Sequence, residues 1–295
     1  MNLLREIIAK IARNIYSHLP LPGISSPIFI IGCGRSGTTI LGNTLSKHRA
    51  ITYLNEPRHL WVSTFPETDI WTSNAHSRGG KLLLTEADFD LRKGKKLSRL
   101  FRLETIVKKR PVFIEKLPIN NFRLSFILKI FPNARFVHIY RNGLEVARSI
   151  SKASEAGEWF GVNNYKWDLL VNYSRNSADT RHLSEICITE YDKGLLEWRL
   201  STEAAVDFLR HLPKDKFSEV NYDEFIDDPV GTTSTLLKFV GVDGDPNVEA
   251  FVSGIVTRKS SKLNLDIISE KDQMIGGSLL QLSADGKKGL TRRCP

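Results

Sequence analysis

Four short runs stand out from the polar background of the chain: Ile28–Ile31, Val112–Ile114, Arg135–Tyr140 and Phe217–Tyr222, each apolar and rich in β-branched or aromatic residues. Runs of this make-up predict buried strands, and Ile51–Leu54 is a weaker fifth. Between them, apolar residues recur at helical spacing, which predicts helices over Thr39–Ser46, Asn120–Phe131, Leu144–Ser154, Tyr165–Asp179 and Tyr191–Leu212. Strands alternating with helices predict one α/β domain with a central, mostly parallel sheet flanked by helices. Ser77–Arg99 mixes Gly79, Gly80 and Gly94 with Lys and Arg, and reads as loops and a short helix over the sheet. Its basic run Arg92–Lys96 reads as a solvated face, and the chain from Gly276 onward as loosely structured. No internal repeat is visible. The expected division is an amphipathic helix within 1–26, an α/β domain over 27–262 and a C-terminal tail over 263–295.

The N-terminal periodicity comes from Leu4, Ile7, Ile8, Ile11 and Ile15, interrupted by Arg5, Lys10 and Arg13. A signal peptide needs an uninterrupted apolar centre, so this segment reads as a helix packed on the domain, with weak contact to a membrane surface as the alternative. Ile28–Ile31, the longest strongly apolar stretch, is far short of the roughly 20 residues of a spanning helix, so no transmembrane segment is expected. With 295 residues, 41% hydrophobic and 25% charged, the composition is ordinary for a globular protein and excludes collagen-like and mostly disordered chains. Cys33, Cys187 and Cys294 form no C-x-x-C pair, which indicates neither a disulfide framework nor a zinc site and points to a reducing, cytoplasmic compartment. Lys+Arg 42 against Asp+Glu 33 leaves a net charge of +9. That excess favours an anionic partner without choosing among nucleic acid, acidic lipid and a phosphorylated small molecule.

One segment narrows the choice. IFIIGCGRSGTTIL sets Gly32, Gly34 and Gly37 directly after a predicted strand, with Thr38 and Thr39 opening a helix. Glycines let backbone N–H groups converge on an anion, and a helix N-terminus adds the positive end of its dipole, so this is a phosphate cradle in a P-loop-like three-layer fold. The triphosphate loop G-x-x-x-x-G-K-[ST] is matched only in part, because Thr38 stands where the lysine belongs. The strand expected to end in a magnesium-binding Asp, ARFVHIY, is followed instead by Arg141. A cation there argues against metal–triphosphate chemistry and for direct contact with a second phosphate. Arg141 at the strand end and Ser149 two turns into the next helix are the pair for that phosphate, through a planar donor fork and a hydroxyl. The expected ligand is a nucleotide with phosphates at two separate places, held without a metal.

GRSGTT and YRNGLEVARS resemble the 5′-phosphosulfate loop and the 3′-phosphate motif of sulfotransferases that use 3′-phosphoadenosine 5′-phosphosulfate (PAPS). The resemblance implies that Arg35, Ser36, Gly37, Thr38 and Thr39 hold the 5′-phosphosulfate, and that Arg141 and Ser149 hold the 3′-phosphate. It is nearest to the branch with protein-tyrosine sulfotransferases and related bacterial enzymes, whose loop is followed by a glutamate and an arginine one residue apart, here Glu56-Pro57-Arg58. That implies Glu56 as catalytic base and Arg58 as an acceptor-side residue. Cytosolic members of the family carry K-T-H-L-P with the histidine as base, whereas this chain reads Glu115-Lys116-Leu117-Pro118 and so lacks the usual rival to Glu56. Lys116 is then implied to stabilise charge on the departing phosphate, as is Arg35. Tyr222, in VNYDEFIDDP, matches an adenine-contacting aromatic, and Arg258 and Lys259 match a basic loop returning to the 3′-phosphate, although Ser260 departs from its R-K-G form. The resemblance runs from about Pro27 to Lys262.

The implied activity moves a sulfuryl group from PAPS to a hydroxyl and releases 3′-phosphoadenosine 5′-phosphate (PAP), with no metal. The acceptor stays open among carbohydrate, lipid-linked, peptide and small-molecule hydroxyls. Trp61, Trp71, Trp159, Trp167 and Trp198 fit core or cleft lining at least as well as sugar platforms. Two rivals remain: a magnesium-dependent small-molecule kinase on the same loop, and a non-enzymatic module binding anions or nucleic acid. No basic stripe interleaved with aromatics supports the latter, and no nucleic-acid partner is expected.

Overall fold

The computed structural model describes residues 11, 13, 15–155, 157, 159–254, 268–284 and 289–292. Five strands, β1 (Ile28–Ile31), β2 (Ile51–Asn55), β3 (Val112–Lys116), β4 (Arg135–Tyr140) and β5 (Phe217–Asn221), lie in the order β2-β3-β1-β4-β5. Every pairing among them is parallel, with Ile28 in register with Ile114 on one side and with Arg135 on the other. The chain fills one side of β1 with β2 and β3, then crosses to the other with β4 and β5. The crevice at the carboxyl ends of β1 and β4 is therefore the topological switch point, where open α/β sheets place ligands.

All four β1 side chains are buried, and they alternate. Phe29 and Ile31 enter one core while Ile28 and Ile30 enter the other, as a period of two requires of a strand covered on both faces. The covering helices are α1 (Thr38–Ser46), α2 (Arg58–Thr64), α3 (Leu91–Lys108), α4 (Leu124–Ile130), α5 (Gly143–Glu155) and α6 (Tyr165–Ser174). They continue with α7 (Glu190–Leu209), α8 (Tyr222–Asp227), α9 (Pro229–Val240), α10 (Pro246–Ser253) and α11 (Glu270–Gly276). Leu41 and Leu45 of α1 share the smaller core with Leu236 and Leu237 of α9. The larger core joins α3, α4, α5 and α7 around stacked Phe101, Phe113 and Phe131, with centroids 4.6 and 5.5 Å apart. Local signals set the helix ends. Thr189 and Asp192 cap α7 reciprocally, while α9 begins on Asp228 and Pro229 and stops at Gly241, whose φ is 85°.

Four expectations change. Instead of a short helix within 77–99, α3 runs 18 residues, because Leu97, Leu100, Phe101 and Thr105 form a buried stripe that the surrounding Lys and Arg obscure in the sequence. The segment 120–131 is not one helix: a 3-10 turn over Pro118–Phe122 ends at Arg123, and α4 starts after it. There Asn120 and Asn121 turn inward, and the buried Arg123 guanidinium donates to the carbonyls of Leu82 (3.3 Å), Thr68 (3.1 Å) and Lys81 (2.7 Å). The helix beginning at Tyr165 stops at Ser174, short of Asp179. Beyond Gly276, Leu279, Leu280 and Leu290 are buried, and Thr291 donates to Glu219 of β5 at 2.6 Å, so that region carries core residues.

Candidate functional site

The turn from β1 into α1 holds the glycines where a side chain has no room. A Cβ on Gly32 (φ 147°) would lie 2.2 Å from the Ile139 carbonyl oxygen, and one on Gly37 (φ 93°) 2.3 Å from the Tyr222 ring. The turn is anchored from beneath. The Gly32 N–H donates to Asn121 Oδ1 at 2.8 Å, and the Asn121 amide donates to the carbonyl and hydroxyl of Ser201 at 3.0 and 2.9 Å. Among the described residues, Gly37 caps α1 without a side-chain acceptor and the buried Ser36 hydroxyl has no hydrogen-bond partner. An uncapped helix start beside an orphaned buried hydroxyl is an arrangement that an anion completes.

The same edge collects residues from the second motif. Arg35 Nε donates to Ser149 Oγ at 3.0 Å, bridging the loop to α5 across 114 positions of sequence. Arg141 follows the last residue of β4. Its Nε donates to Glu145 Oε2 at 2.7 Å, and its guanidinium lies over the Tyr222 ring at 4.2 Å from the centroid. Arg141 and Ser149 are thus each engaged by a different side chain, and Ser149 meets Arg35. The Arg141 carbonyl accepts from Trp198 Nε1 at 3.1 Å, which fixes the backbone at the start of α5. Arg258 and Lys259 lie outside the described residues.

Glu56 and Lys116 occupy neighbouring strand ends, since Asn55 of β2 is in register with Lys116 of β3. The Lys116 ammonium is 1% exposed, and it donates to Glu56 Oε1 at 2.7 Å and to Thr39 Oγ1 at 3.1 Å. Arg58 Nη2 donates to the other carboxylate oxygen of Glu56 at 2.7 Å, its Nε is buried without a partner among the described residues, and its guanidinium lies over the Trp71 ring at 4.0 Å from the centroid. Burial pushes the Glu56 carboxyl up, but the hydrogen bond and charge of Lys116, joined by Arg58, outweigh it and hold the group below its ordinary value. Glu56 (φ 48°) and Arg35 (φ 72°) are two of the five non-glycine residues with positive φ among the described residues. Glu56 is kept there by hydrogen bonds of 2.7 Å, from its N–H to the Lys116 carbonyl and from the Arg58 N–H to its own carbonyl. Next to Lys116, Glu115 points into the larger core against Trp61 Nε1 (2.9 Å) and Asn120 (3.1 Å). Burial pushes its carboxyl up to about 8.

A cavity of about 160 Å³ opens from Glu56 and Arg58 to Trp159, Lys166, Glu197 and Ser201. Trp159 closes it against the loop, since a Cβ on Gly34 would lie 2.8 Å from the indole. A larger groove of about 910 Å³ begins at the same Arg58 and Trp71 and continues past His59 and Leu100 to Arg13. Residues that the sequence reading missed are Asn121, Ser201, Lys166 and Glu197. Two consecutive asparagines in an apolar helical pattern were a usable signal for Asn121, whereas nothing local marks the other three. Among the described residues no helix is long and apolar enough to cross a membrane, and no group of three or more His, Cys, Asp and Glu is placed to hold a metal.

The fold is that of the P-loop-like α/β proteins, with a glycine-rich strand-to-helix turn at the switch point of a parallel sheet. Residues 27–246 match the Sulfotransferase family, and the chain belongs to it. Human protein-tyrosine sulfotransferase 1 is 28% identical over 151 residues, which is 50% of this chain and 40% of that protein. The Drosophila melanogaster protein-tyrosine sulfotransferase is 23% identical over 284 residues, covering 88% of this chain and 49% of its own length. The chain thus spans less than half the length of these curated relatives. In fold, a sulfotransferase from Mycobacterium avium superposes with a TM-score of 0.52 at 15% identity, over 94% of this chain and 79% of that one.

Proposed function

We propose that the chain is a PAPS-dependent sulfotransferase that transfers a sulfuryl group to an acceptor hydroxyl and releases PAP. The observation that carries this reading is Lys116, whose ammonium touches both Thr39 of the anion loop and the Glu56 carboxylate. One side chain couples the place for a leaving phosphate to the place for a base. Membership of the sulfotransferase family supports the reaction class. The orphaned Ser36 hydroxyl and the glycine-capped start of α1 fit a 5′-phosphosulfate, with Arg35, Gly37, Thr38 and Thr39 as its other contacts. Arg141 and Ser149, with Arg258 and Lys259, are assigned to the 3′-phosphate, and Tyr222 to the adenine.

The chain's own groups then divide the work. Glu56 accepts the proton of the acceptor hydroxyl as the new oxygen–sulfur bond forms and the bond from sulfur to the 5′-phosphate oxygen breaks. A base must be ionised to act, which its lowered pKa secures. Lys116 is buried and already lies 3.1 Å from the loop hydroxyl, so it needs no rearrangement to meet negative charge growing on the leaving oxygen. Arg58, with its unpartnered Nε, stands on the acceptor side of Glu56. A cytoplasmic setting belongs to the same proposal, supported by the buried free thiols Cys33 and Cys187.

Thermal denaturation with PAP, and separately with ATP and magnesium, tests the reading. PAP at 100 times its dissociation constant is expected to stabilise the protein by about 2.7 kcal/mol, with no response to ATP and magnesium. The opposite pattern would make the chain a kinase. No response to either, with salt-sensitive nucleic-acid binding instead, would make it a binding module.

A further inference from the structure

The cavity that opens on Glu56 has a second charged centre. Lys166 of α6 donates to Glu197 of α7 at 2.6 Å, and both side chains are 6% exposed. Glu197 also accepts from Trp159 Nε1 at 2.9 Å, and the Lys166 ammonium lies 4.7 Å from the centre of that indole. The pair lines the same cavity as Glu56, Arg58 and Ser201. As a stabilising device this is poor, because desolvating two charges roughly cancels their attraction, and an apolar pair of equal volume serves a core as well. As part of a cavity wall it offers an ammonium with three N–H donors and a carboxylate with several acceptor sites, side by side.

A hydroxyl answers both at once, since it donates and accepts. The cavity of about 160 Å³ is on the scale that admits one six-membered ring. A phenol spends its single hydroxyl at Glu56 and would lay C–H edges against the ion pair, leaving buried charges without the hydrogen bonds they can make. A sugar ring brings further hydroxyls. We propose that Lys166 and Glu197 bind a second hydroxyl of the acceptor, so that this site takes a polyhydroxylated aliphatic ring, the chemistry of a carbohydrate, in preference to a phenol. The inference rests on the sulfotransferase reading and concerns the other half of the same site.

The chain, with PAPS as donor, is assayed against a panel of methyl hexosides and disaccharides, cyclohexanol, and 4-methylphenol. Transfer to at least one glycoside is expected, with kcat/KM about 10–100-fold above that for cyclohexanol and for the phenol, the scale of one hydrogen bond to a charged group. Lys166→Met with Glu197→Gln, made together so that no charge is left unpaired, is expected to raise KM for the glycoside, to hold or improve cyclohexanol transfer, whose C–H edges no longer face buried charges, and to keep the PAP thermal shift. The wild-type comparison requires no variant and stands if the double variant does not fold. Equal or better use of the phenol or cyclohexanol, or no transfer to any glycoside while PAP stabilises the protein normally, overturns the inference and leaves the donor reading intact. Loss of the PAP response in the wild type removes the donor reading itself.

Discussion

The proposed donor edge and the proposed acceptor cavity meet at Lys116, yet they are built on different principles. The donor edge is mostly backbone: glycines at φ 147° and 93°, an uncapped helix start, and cations that remain partly open to solvent. Arg35 is held there by Ser149, and Arg141 by Glu145 and by the face of the Tyr222 ring. The proposed acceptor cavity is mostly side chain, with opposite charges in pairs: half-buried Glu56 bonded to the buried Lys116, and buried Lys166 with buried Glu197. Backbone donors are in place before any ligand arrives, whereas a buried pair keeps its geometry only while both partners are present. Changes at the first region should therefore act on nucleotide affinity, and changes at the second on turnover.

Glu56→Gln is the sharpest way to break that division. It keeps the shape of the side chain but removes the proposed base, so kcat is expected to fall about 10²–10⁴-fold. The thermal shift with PAP should stay near the wild-type value, because Glu56 lies on the far side of Lys116 from the loop. A variant that loses both activities equally would show that the two regions are one unit.

Arg141→Ala tests the other side with a smaller effect. PAP affinity measured by calorimetry is expected to weaken about 10–100-fold, the scale of one charge-assisted hydrogen bond. The surroundings reinforce the direction. Glu145 loses its partner, and Asp223 nearby is already pushed up by burial and by the Glu145 charge, so removing the arginine leaves an acidic patch where a phosphate should sit. Unchanged PAP affinity would unseat the assignment of Arg141 to the 3′-phosphate.

Gly37→Ala probes the backbone character of the donor edge. The position has φ 93°, and the added methyl would meet the Tyr222 ring, so a stability loss of about 1–3 kcal/mol is expected in chemical denaturation. Tyr222→Ala in the same background removes the collision but not the left-handed backbone, and should restore part of the loss. Full recovery would mean that packing alone, and not conformation, requires glycine here.

The contrast also governs what could be read from the sequence. The donor edge is encoded in contiguous strings, GRSGTT and YRNGLEVARS, because a strand-to-helix turn presents consecutive residues to one ligand. The five strands were legible for a related reason: β1 is apolar at every position because both its faces are covered. The acceptor cavity is drawn from residues 56, 58, 159, 166, 197 and 201, which share a wall only after α6 and α7 pack beside the loop. Lys166 and Glu197 each look like a solvated helix charge in sequence, and their burial is a tertiary fact. Arg123 was hidden in the same way: a buried guanidinium binding three carbonyls ends a helix whose apolar periodicity continues through it.

The smallest expected effect concerns Arg58, which belongs to both descriptions, being partly exposed and yet bound to Glu56 at 2.7 Å. Its charge and hydrogen bond are among the influences that hold the Glu56 carboxyl below its ordinary value against burial. A carboxylate lowered on folding contributes stability above its unfolded pKa and loses it as pH falls through the folded one. The acid limb of a kcat/KM profile, which reports the free enzyme, should accordingly lie below the ordinary glutamate value in the wild type. In Arg58→Leu one lowering influence is gone, Lys116 remains, and burial still raises the group, so the limb should move to higher pH. The height of the profile is free to change through acceptor binding, and the position of the limb is the readout. Stability at neutral pH should change by about 1 kcal/mol or less, as for other exposed ion pairs. A limb that stays in place would mean that Lys116 alone sets the ionisation of Glu56, and the base would then answer only to the residue that also touches the donor loop.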